Sequence, residues 1–401
     1  MQKFKKVLLG GFSATLALSA PIAVAVSCGD WAGKFELRLN GETNEELSDK
    51  LAFVTDGGSA DDKSFNEQGY DAYHALSGHT KESVLRPDGG TSFEIKKRYE
   101  TAAKYGSRVI IAPGFHHVSA IESFNKSFGE KKVGFILVDG EMKYKDGKDK
   151  DKGISNVASI VFETKYSGFL AGYLAAEYLT EIKKDETPKV GMFGGANFPG
   201  VTNFMVGFIS GIHYYNNFKK PTHEVEFSKF ASDEEYTNSG FSAGQGTPYA
   251  NKLLQNGADI ILPVAGPQTG DVISAINQNQ KYSDVKIIGV DTDQALQYEN
   301  NQNKFLTSIE KKLSLAIQKV WKKAIDPKNH QDATYDGVNG FGETTVGTLK
   351  NELTSISKPH VSGVEDIYNK VVNDATLKTK AVEITEKMDW NAALSILKQM
   401  Y

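Results

Sequence analysis

The chain has a single cysteine, Cys28, among its 401 residues. No disulfide can form within the chain, so the fold must be held by its packed interior. The common glycine-rich phosphate loops are missing as well, since neither G-x-G-x-x-G nor G-x-x-x-x-G-K-[ST] occurs. The sequence therefore lacks the usual signs of a dinucleotide- or nucleoside-triphosphate-binding protein.

Metal-binding patterns and basic surfaces are also missing. His116 and His117 form the only adjacent histidine pair, adjacent side chains point in different directions, and no H-E-x-x-H helix occurs. We therefore expect no metal and no cofactor. The formal net charge is −4, and no basic stripe interleaved with aromatic residues occurs. Binding to nucleic acid has no electrostatic support.

The N-terminus has the pattern of an export signal. Residues 3–6, KFKK, are basic, and residues 7–26 are apolar or small. Glycine, serine and proline in this stretch make a membrane-spanning helix the less favoured interpretation. The stretch AVSC at 25–28 is similar to a bacterial lipobox, whose cysteine becomes the diacylated first residue of the mature protein. We expect a signal peptide at 1–27, lipidation at Cys28, and anchoring to the outer face of the bacterial cell membrane.

Strand-like and helix-like segments alternate beyond a polar stretch at 28–50, which we interpret as a tether. This alternation predicts an α/β fold with parallel sheets, and near-continuous apolar strands indicate sheets covered on both faces. The strands are too many for one sheet, so two doubly wound lobes are expected. We assign 51–162 plus about 293–330 to lobe 1, and 163–292 plus about 331–401 to lobe 2. The strand candidates are 51–55, 83–86, 109–112, 133–138, 157–161, 189–193, 225–230, 260–264 and 285–290.

The segment 51–70 carries the clearest functional pattern. An apolar strand is followed by Asp56-Gly57-Gly58, and Asp61-Asp62-Lys63-Ser64-Phe65-Asn66 then begins a helix. Ligands of open α/β sheets bind outside the carboxyl ends of the strands. Because this loop offers an aromatic face beside hydrogen-bonding groups, it predicts one half of a small-molecule site.

Glycine-containing or acidic loops also follow strands of the second lobe, at Gly194–Gly200, Ala265–Gly270 and Asp291–Asp293. Each alone is more typical of a tight turn, but their recurrence at strand ends favours a cleft shared by the two lobes. Paired acids such as Asp61-Asp62 could act as general acid and base. Neighbouring acids in such loops are more often helix caps or acceptors for ligand hydroxyl groups.

With these features the sequence resembles the basic membrane protein family, the PnrA-like purine nucleoside receptors of ABC transporters. The most specific match is the loop at 56–66, with weaker matches at 169–176, 257–261, 290–293 and 308–311. The resemblance implies a type I periplasmic-binding fold, in which two α/β lobes are joined by crossing strands and enclose a ligand cleft.

The resemblance also implies which residues bind the base. Phe65 would stack on one face of a purine, and Asp56 and Asn66 would bond polar atoms of the nucleoside. Core packing of Phe65, and helix capping by Asp56 and Asn66, are the structural alternatives. Phe241 is expected to be the opposite stacking ring, with Phe204 as its competitor.

The ribose would be bound by residues of both lobes. Asp291 and Lys311 match positions that bind ribose hydroxyl groups, and Gly266 would let the backbone approach the sugar. Asp139 matches an acid that faces the cleft, with a turn residue as its alternative. A solvated side chain is the alternative for Lys311.

The resemblance implies that the protein binds a ligand and does not catalyse a reaction. The protein would be a lipid-anchored substrate-binding protein of an ABC importer, not an enzyme. It would hold guanosine, inosine or adenosine between its lobes, and a permease would recognise the closed form. A sugar- or autoinducer-binding lipoprotein of the same fold stays open as an alternative, as does a surface nucleoside hydrolase.

Overall fold

The computed structural model describes residues 35–37, 42–325 and 337–401, and the predicted signal peptide and Cys28 lie outside this range. The strands are β1 Leu51–Phe53, β2 Val109–Pro113, β3 Gly134–Val138, β4 Val157–Phe162, β5 Lys189–Gly194, β6 Glu226–Phe227, β7 Ile260–Val264, β8 Lys286–Asp291, β9 Phe305–Lys311, β10 Thr344–Gly347 and β11 Thr354–Ile356. The helices are α1 Asn44–Ser48, α2 Phe65–Ser77, α3 Ser92–Lys104, α4 His117–Phe128, α5 Thr164–Glu177, α6 Pro199–Lys219, α7 Thr247–Gln255, α8 Thr269–Asn277, α9 Leu313–Ile325, α10 Glu365–Asn373, α11 Ala375–Thr385 and α12 Trp390–Leu397.

The strands form two sheets. The sheet of lobe 1 has the order β1-β2-β3-β4-β10, and all its pairs are parallel. The sheet of lobe 2 has the order β11-β9-β8-β7-β5-β6 and is parallel except for β11, which runs antiparallel to β9. The predicted α/β class with two parallel-sheet lobes is confirmed.

Both faces of the lobe 1 sheet are covered by helices. Val109 and Ile111 of β2 join a hydrophobic cluster with residues of α2 and α9, whereas Ile110 and Ala112 join a second cluster with residues of α3 and α4. Because successive strand residues point to opposite faces, each apolar strand serves two cores. This arrangement places the carboxyl ends of the strands, and the loops after them, at one edge of the sheet.

The chain divides between the lobes differently from the prediction after residue 292. Residues 293–311 belong to lobe 2, because β9 pairs with β8 and Phe305 lies in the lobe 2 core. Conversely, β10 pairs with β4 in lobe 1. The chain therefore crosses between the lobes after β4, as predicted, and again after β9 and after β10. The predicted assignments of 293–311 and of 344–347 were wrong, because neither β9 nor β10 was recognised as a strand.

The described part of the predicted tether packs against lobe 1. The side chain of Phe35 is only 9% exposed, and its ring centroid lies 4.9 Å from that of Phe341. Leu47 of α1 is buried in the lobe 1 core, and α1 begins at a capping box formed by Thr43 and Glu46. A free tether is therefore wrong for these residues, since burial of two large apolar side chains stabilises their docking by about 1.5–3 kcal/mol each.

Helices α5 and α6 of lobe 2 cross at very close range. A methyl group on Gly172 would lie 2.2 Å from the carbonyl oxygen of Phe208, and one on Gly211 would lie 2.1 Å from the carbonyl oxygen of Phe169. Only glycine lets the two backbones approach this closely. The crossing fixes α6, whose residue Phe204 reaches the cleft between the lobes.

We expect Gly172→Ala to lower the free energy of unfolding by about 1–3 kcal/mol, the usual range for overpacking. Alanine favours helix by about 1 kcal/mol over glycine, but its methyl group would meet a backbone carbonyl that cannot rotate away. Chemical denaturation of both proteins checks this. Gly340→Ala is the matched control, since nothing lies within 4 Å of its added methyl group. Unchanged stability of Gly172→Ala would contradict the close crossing.

Candidate functional site

A cavity of about 660 Å³ lies between the lobes, lined by loops that follow the parallel strands. Its volume is typical of small-molecule sites, which span about 300–1,000 Å³. All the predicted ligand-binding residues line it: Asp56, Phe65, Asn66, Asp139, Phe241, Gly266, Asp291 and Lys311. The cavity is also lined by Phe115, His116, Phe198 and Tyr298, which the sequence pattern did not single out.

The loop before α2 is organised by the carboxylate of Asp62. It accepts hydrogen bonds from the backbone N–H groups of Ser64 and Asn66, both at 2.9 Å, and of Glu67 at 3.1 Å. These are the otherwise unpaired N–H groups at the start of the helix. Asp62, and not Asp56, therefore caps α2, and the capping alternative for Asp56 is wrong.

Asp56 and Asn66 are joined by a direct hydrogen bond. The Asn66 Nδ2 group donates to Asp56 Oδ1 at 3.1 Å and to Asp62 Oδ2 at 2.9 Å, and the N–H of Gly58 also donates to Asp56 Oδ1 at 3.1 Å. Burial raises the pKa of the Asp56 carboxyl, and these donors counteract part of the rise. In the described part of the chain, Asn66 Oδ1 is buried without a hydrogen-bond partner.

A buried ion pair joins the lobes at the opposite wall. Lys311 at the end of β9 is 2% exposed, and its Nζ donates to Asp139 Oδ2 of lobe 1 at 2.5 Å. The same Nζ donates to the carbonyl oxygen of Gly200 at 3.1 Å and lies 3.8 Å from Asp291 Oδ1. The solvated-lysine alternative for Lys311 is therefore wrong.

Asp291 makes further contacts between the lobes. Its Oδ2 accepts a hydrogen bond from the Ser64 hydroxyl at 2.8 Å, and its backbone carbonyl accepts one from Gln68 Nε2 at 2.8 Å. Asp291 ends β8 and Asp139 follows β3, and both have positive φ, at 67° and 55°, a region that non-glycine residues seldom adopt. Burial raises the pKa of the Asp291 carboxyl, and Lys311 lowers it in part.

Gly266 lies where the lobes touch. A methyl group at this position would lie 2.4 Å from the hydroxyl oxygen of Ser64, in the other lobe. The missing side chain thus permits the contact between Ser64 and Asp291. The close approach seen here is to the opposite lobe, and the approach of the Gly266 backbone to a sugar stays a prediction.

Aromatic rings from both lobes line the cavity. Phe115 of lobe 1 lies 4.4 Å from Phe198 and 6.5 Å from Phe241 of lobe 2, measured between ring centroids. The Lys311 Nζ lies 5.6 Å from the ring centroid of Phe65 and 4.9 Å from that of Phe204. Phe241 is 40% exposed and Phe204 is 1% exposed, yet both line the cavity.

The loop that carries Phe241 is held by two side chains of lobe 2. Gln268 Nε2 donates to the carbonyl oxygens of Ser239, Gly240 and Ser242, at 3.1, 3.0 and 3.3 Å. The Asp271 carboxylate accepts from the N–H groups of Gly244 and Gly246 at 2.9 Å. The amide of Gln268 and the carboxylate of Asp271 therefore pair five backbone groups of the loop and help to fix the position of Phe241.

The same loop matches the G-x-S-x-G pattern of hydrolases, at Gly240–Gly244. That pattern needs a turn between a strand and a helix, and a histidine beside the serine. Here the stretch lies in a loop, and no hydrogen bond joins the Ser242 hydroxyl to a histidine of the described chain. The match therefore does not indicate a catalytic role for Ser242.

The described residues contain no group of three or more histidine, cysteine, aspartate or glutamate side chains that could hold a metal ion. None of their helices combines the length and the apolar character needed to cross a bilayer.

Known proteins are similar to this chain in sequence and in fold. A family model described as ABC transporter substrate-binding protein, PnrA-like, matches residues 50–374. The ABC transporter nucleoside-binding protein BmpA of Lactococcus lactis is 27% identical over 81% of this chain and 86% of its own length. An uncharacterized lipoprotein of Mycoplasma genitalium is 26% identical over 83% of this chain and 71% of its own length.

A solved ABC transporter solute-binding protein of Aeropyrum pernix K1 has the same fold, with a TM-score of 0.57 at 18% identity over 87% of this chain and 85% of its own. The predicted periplasmic-binding architecture is thus confirmed. The matched family consists of transport receptors, so the protein is a binding protein and not an enzyme. Since the family model spans most of the sequence, the chain belongs to the PnrA-like family of ABC transporter substrate-binding proteins.

Proposed function

We propose that this protein captures a purine nucleoside between its lobes for an ABC importer. The observation that carries the proposal is the composition of the cavity, which combines aromatic rings of both lobes with the buried Lys311 and Asp291 and the half-buried Asp139. A nucleoside has a flat base for the rings and hydroxyl groups for the carboxylates. The nucleoside-binding relative from Lactococcus lactis supports this choice of ligand.

The base would lie between rings that belong to opposite lobes. Phe65 begins α2 of lobe 1, and Phe241 is held in place on lobe 2 by Gln268. Offset stacking of aromatic rings is worth about 0.5–1.5 kcal/mol beyond the burial of their area. Because each ring covers one face of the base, the stacking is complete only when the lobes are together.

The ribose would lie against the ionic groups. Asp139 and Asp291 can accept from its hydroxyl groups, and Lys311 can donate to a hydroxyl oxygen. A phosphate in place of a hydroxyl would bring a second anion beside two carboxylates in a buried site, which is costly. The site therefore favours nucleosides over nucleotides.

The proposed location is the outer face of the cell membrane, with Cys28 as the lipid-bearing residue. The similarity to a lipoprotein of Mycoplasma genitalium supports this assignment. Two acyl chains would suffice for stable anchoring, whereas one gives only marginal binding. Cys28→Ser is expected to move the protein from the membrane fraction to the soluble fraction, as checked by fractionation of the expressing cells. A variant that stays with the membrane would contradict the anchor.

A thermal-shift panel tests the ligand class. Guanosine, inosine or adenosine should raise the melting temperature, since a ligand at about 100 times its Kd adds about 2.7 kcal/mol to the stability of the form that binds it. Free ribose, other sugars and nucleoside monophosphates should raise it far less, because they lack the base or add charge. A larger shift with a sugar would establish the alternative sugar receptor. A panel without any nucleoside shift would sink the proposal.

The nucleoside affinity should fall as the pH is lowered from neutral to about 5. The reason is that the charged carboxylate of Asp291 accepts from a ribose hydroxyl group more strongly than the protonated carboxyl group does, so protonation opposes ligand binding. An aspartate ordinarily has a pKa of about 4. Burial raises the pKa of Asp291, so the loss of affinity should begin at a higher pH than for an ordinary aspartate. Calorimetric titration over this pH range measures the effect. Asp291→Asn should bind more weakly and with a flatter pH profile, and an equally steep profile would refute the assigned role.

A further inference from the structure

We propose that His116 is a specificity-determining residue which, together with Asp56 and Asn66, selects guanosine among the purine nucleosides. This inference rests on the proposed function and concerns the edge of the base, apart from its faces and its ribose. The three side chains line the same cavity. Their unused hydrogen-bonding atoms form a pattern that only one common purine matches fully.

The first unused atom is an acceptor on Asn66. The Asp62 carboxylate accepts three backbone N–H groups, so it is an acceptor toward Asn66 as well. The amide nitrogen of Asn66 must therefore face Asp62 and Asp56, and Oδ1 is left over. Asn66 is 4% exposed, and no described residue donates to this oxygen. An unpaired buried acceptor costs about 1–3 kcal/mol, which a donor on the ligand would recover.

The second unused atom is an acceptor on Asp56. Both hydrogen bonds that Asp56 receives, from Gly58 and from Asn66, end on Oδ1. Its Oδ2 accepts no hydrogen bond from the described chain and lies in a residue that lines the cavity. Asp56 and Asn66, which are bonded to each other and line the cavity, thus hold two neighbouring acceptors that the described chain leaves unpaired.

The third group is the imidazole of His116. It follows Phe115 directly, and the two ring centroids lie 4.1 Å apart at an angle of 45°. Its Nδ1 is buried without a partner, and no hydrogen bond joins either ring nitrogen to another described residue. It lies near Asp56, since a methyl group on Gly90 would meet the Asp56 carbonyl oxygen at 3.0 Å and His116 Nδ1 at 3.9 Å. A neutral imidazole carries one N–H, so His116 can supply one donor there.

The neighbouring residue His117 differs from His116, because its ring is bonded within lobe 1. His117 is fully buried, and its Nδ1 is bonded to the hydroxyl group of Tyr99. Burial lowers the pKa of His117 to about 3. His117 therefore belongs to the core of lobe 1, whereas His116 faces the cavity.

Two acceptors and one donor match the edge of guanine. Guanine presents an amino group, a ring N–H and a carbonyl oxygen in a row, which are two donors and one acceptor. Hypoxanthine keeps the ring N–H and the carbonyl but lacks the amino group. Adenine presents a ring nitrogen lone pair where the other two carry N–H, so this lone pair would face an acceptor of the protein. A site with paired polar groups rejects a ligand that leaves them unpaired.

Calorimetric titration of guanosine, inosine and adenosine with the wild type and His116→Phe tests the inference. Hydrogen bonds to charged groups are worth about 1.5–3 kcal/mol, so guanosine should bind about tenfold or more tighter than inosine, and adenosine weakest. His116→Phe keeps a ring against Phe115 but removes the donor. It should weaken guanosine and inosine by about fivefold to tenfold and leave adenosine unchanged. Loss of packing alone would weaken all three.

His223→Phe is the matched control, because His223 is exposed and does not line the cavity. His116→Gln, which restores a donor, should recover part of the guanosine preference, and it replaces His116→Phe if that variant does not fold. Adenosine binding as tight as guanosine binding would overturn the selectivity, and an equal loss for all three in His116→Phe would overturn the role of His116. Wild-type protein that binds none of them would instead overturn the proposed function.

Discussion

The ion pair between Lys311 and Asp139 is the contact on which the closed cleft depends. Lys311 is buried and Asp139 half-buried, and the pair joins the last residue of β9 in lobe 2 to the residue after β3 in lobe 1. Removing one partner of such a pair leaves an uncompensated charge, which costs about 3–5 kcal/mol. The chain crosses to lobe 1 directly after Lys311, so the pair lies where the lobes turn against each other. The same ammonium group also lies beside Phe65 and Phe204.

Helix α2 couples the closure of the lobes to the recognition of a ligand. Its residue Gln68 donates to the carbonyl oxygen of Asp291 and accepts from the N–H of Leu313, so it bridges a strand end of lobe 2 and the start of α9. The first turn of the same helix carries Phe65 and Asn66. Any movement of α2 that separates the lobes therefore also displaces the side chains proposed to bind the base.

The sequence predicted the loop at 56–66 and the parallel sheets well, because strand ends and turn residues are local signals. It did not predict β9, because this strand contains the polar residues Thr307 and Ser308. Both are fully buried, and both form hydrogen bonds with Ser357, which is distant in the sequence. It placed a strand at 83–86, where the structure has a single bridge between Val54 and Leu85. A 3-10 turn at Lys81–Ser83 occupies the preceding residues, and Pro87 lacks the N–H that a longer pairing would use.

The site itself was predictable only in part, for a similar reason. In the sequence His116 and His117 are only an adjacent pair, and nothing local distinguishes the first histidine from the second. Their difference arises from Tyr99, which lies on a separate helix and binds His117 alone. Phe115 and Phe198 likewise meet only through the docking of the lobes.

The anchoring of the Phe241 loop has a consequence for the rates of exchange. Gln268 and Asp271 bind this loop to lobe 2 alone, so Phe241 travels with lobe 2 when the cleft opens, while Phe65 stays with lobe 1. If both rings stack on the base as proposed, an open receptor offers it only one stacking ring at a time. Association would then be set by the encounter with a single lobe, and the second ring would slow dissociation. The time that a molecule stays bound, and hence the interval available for its transfer, would be governed by reopening and not by the first contact.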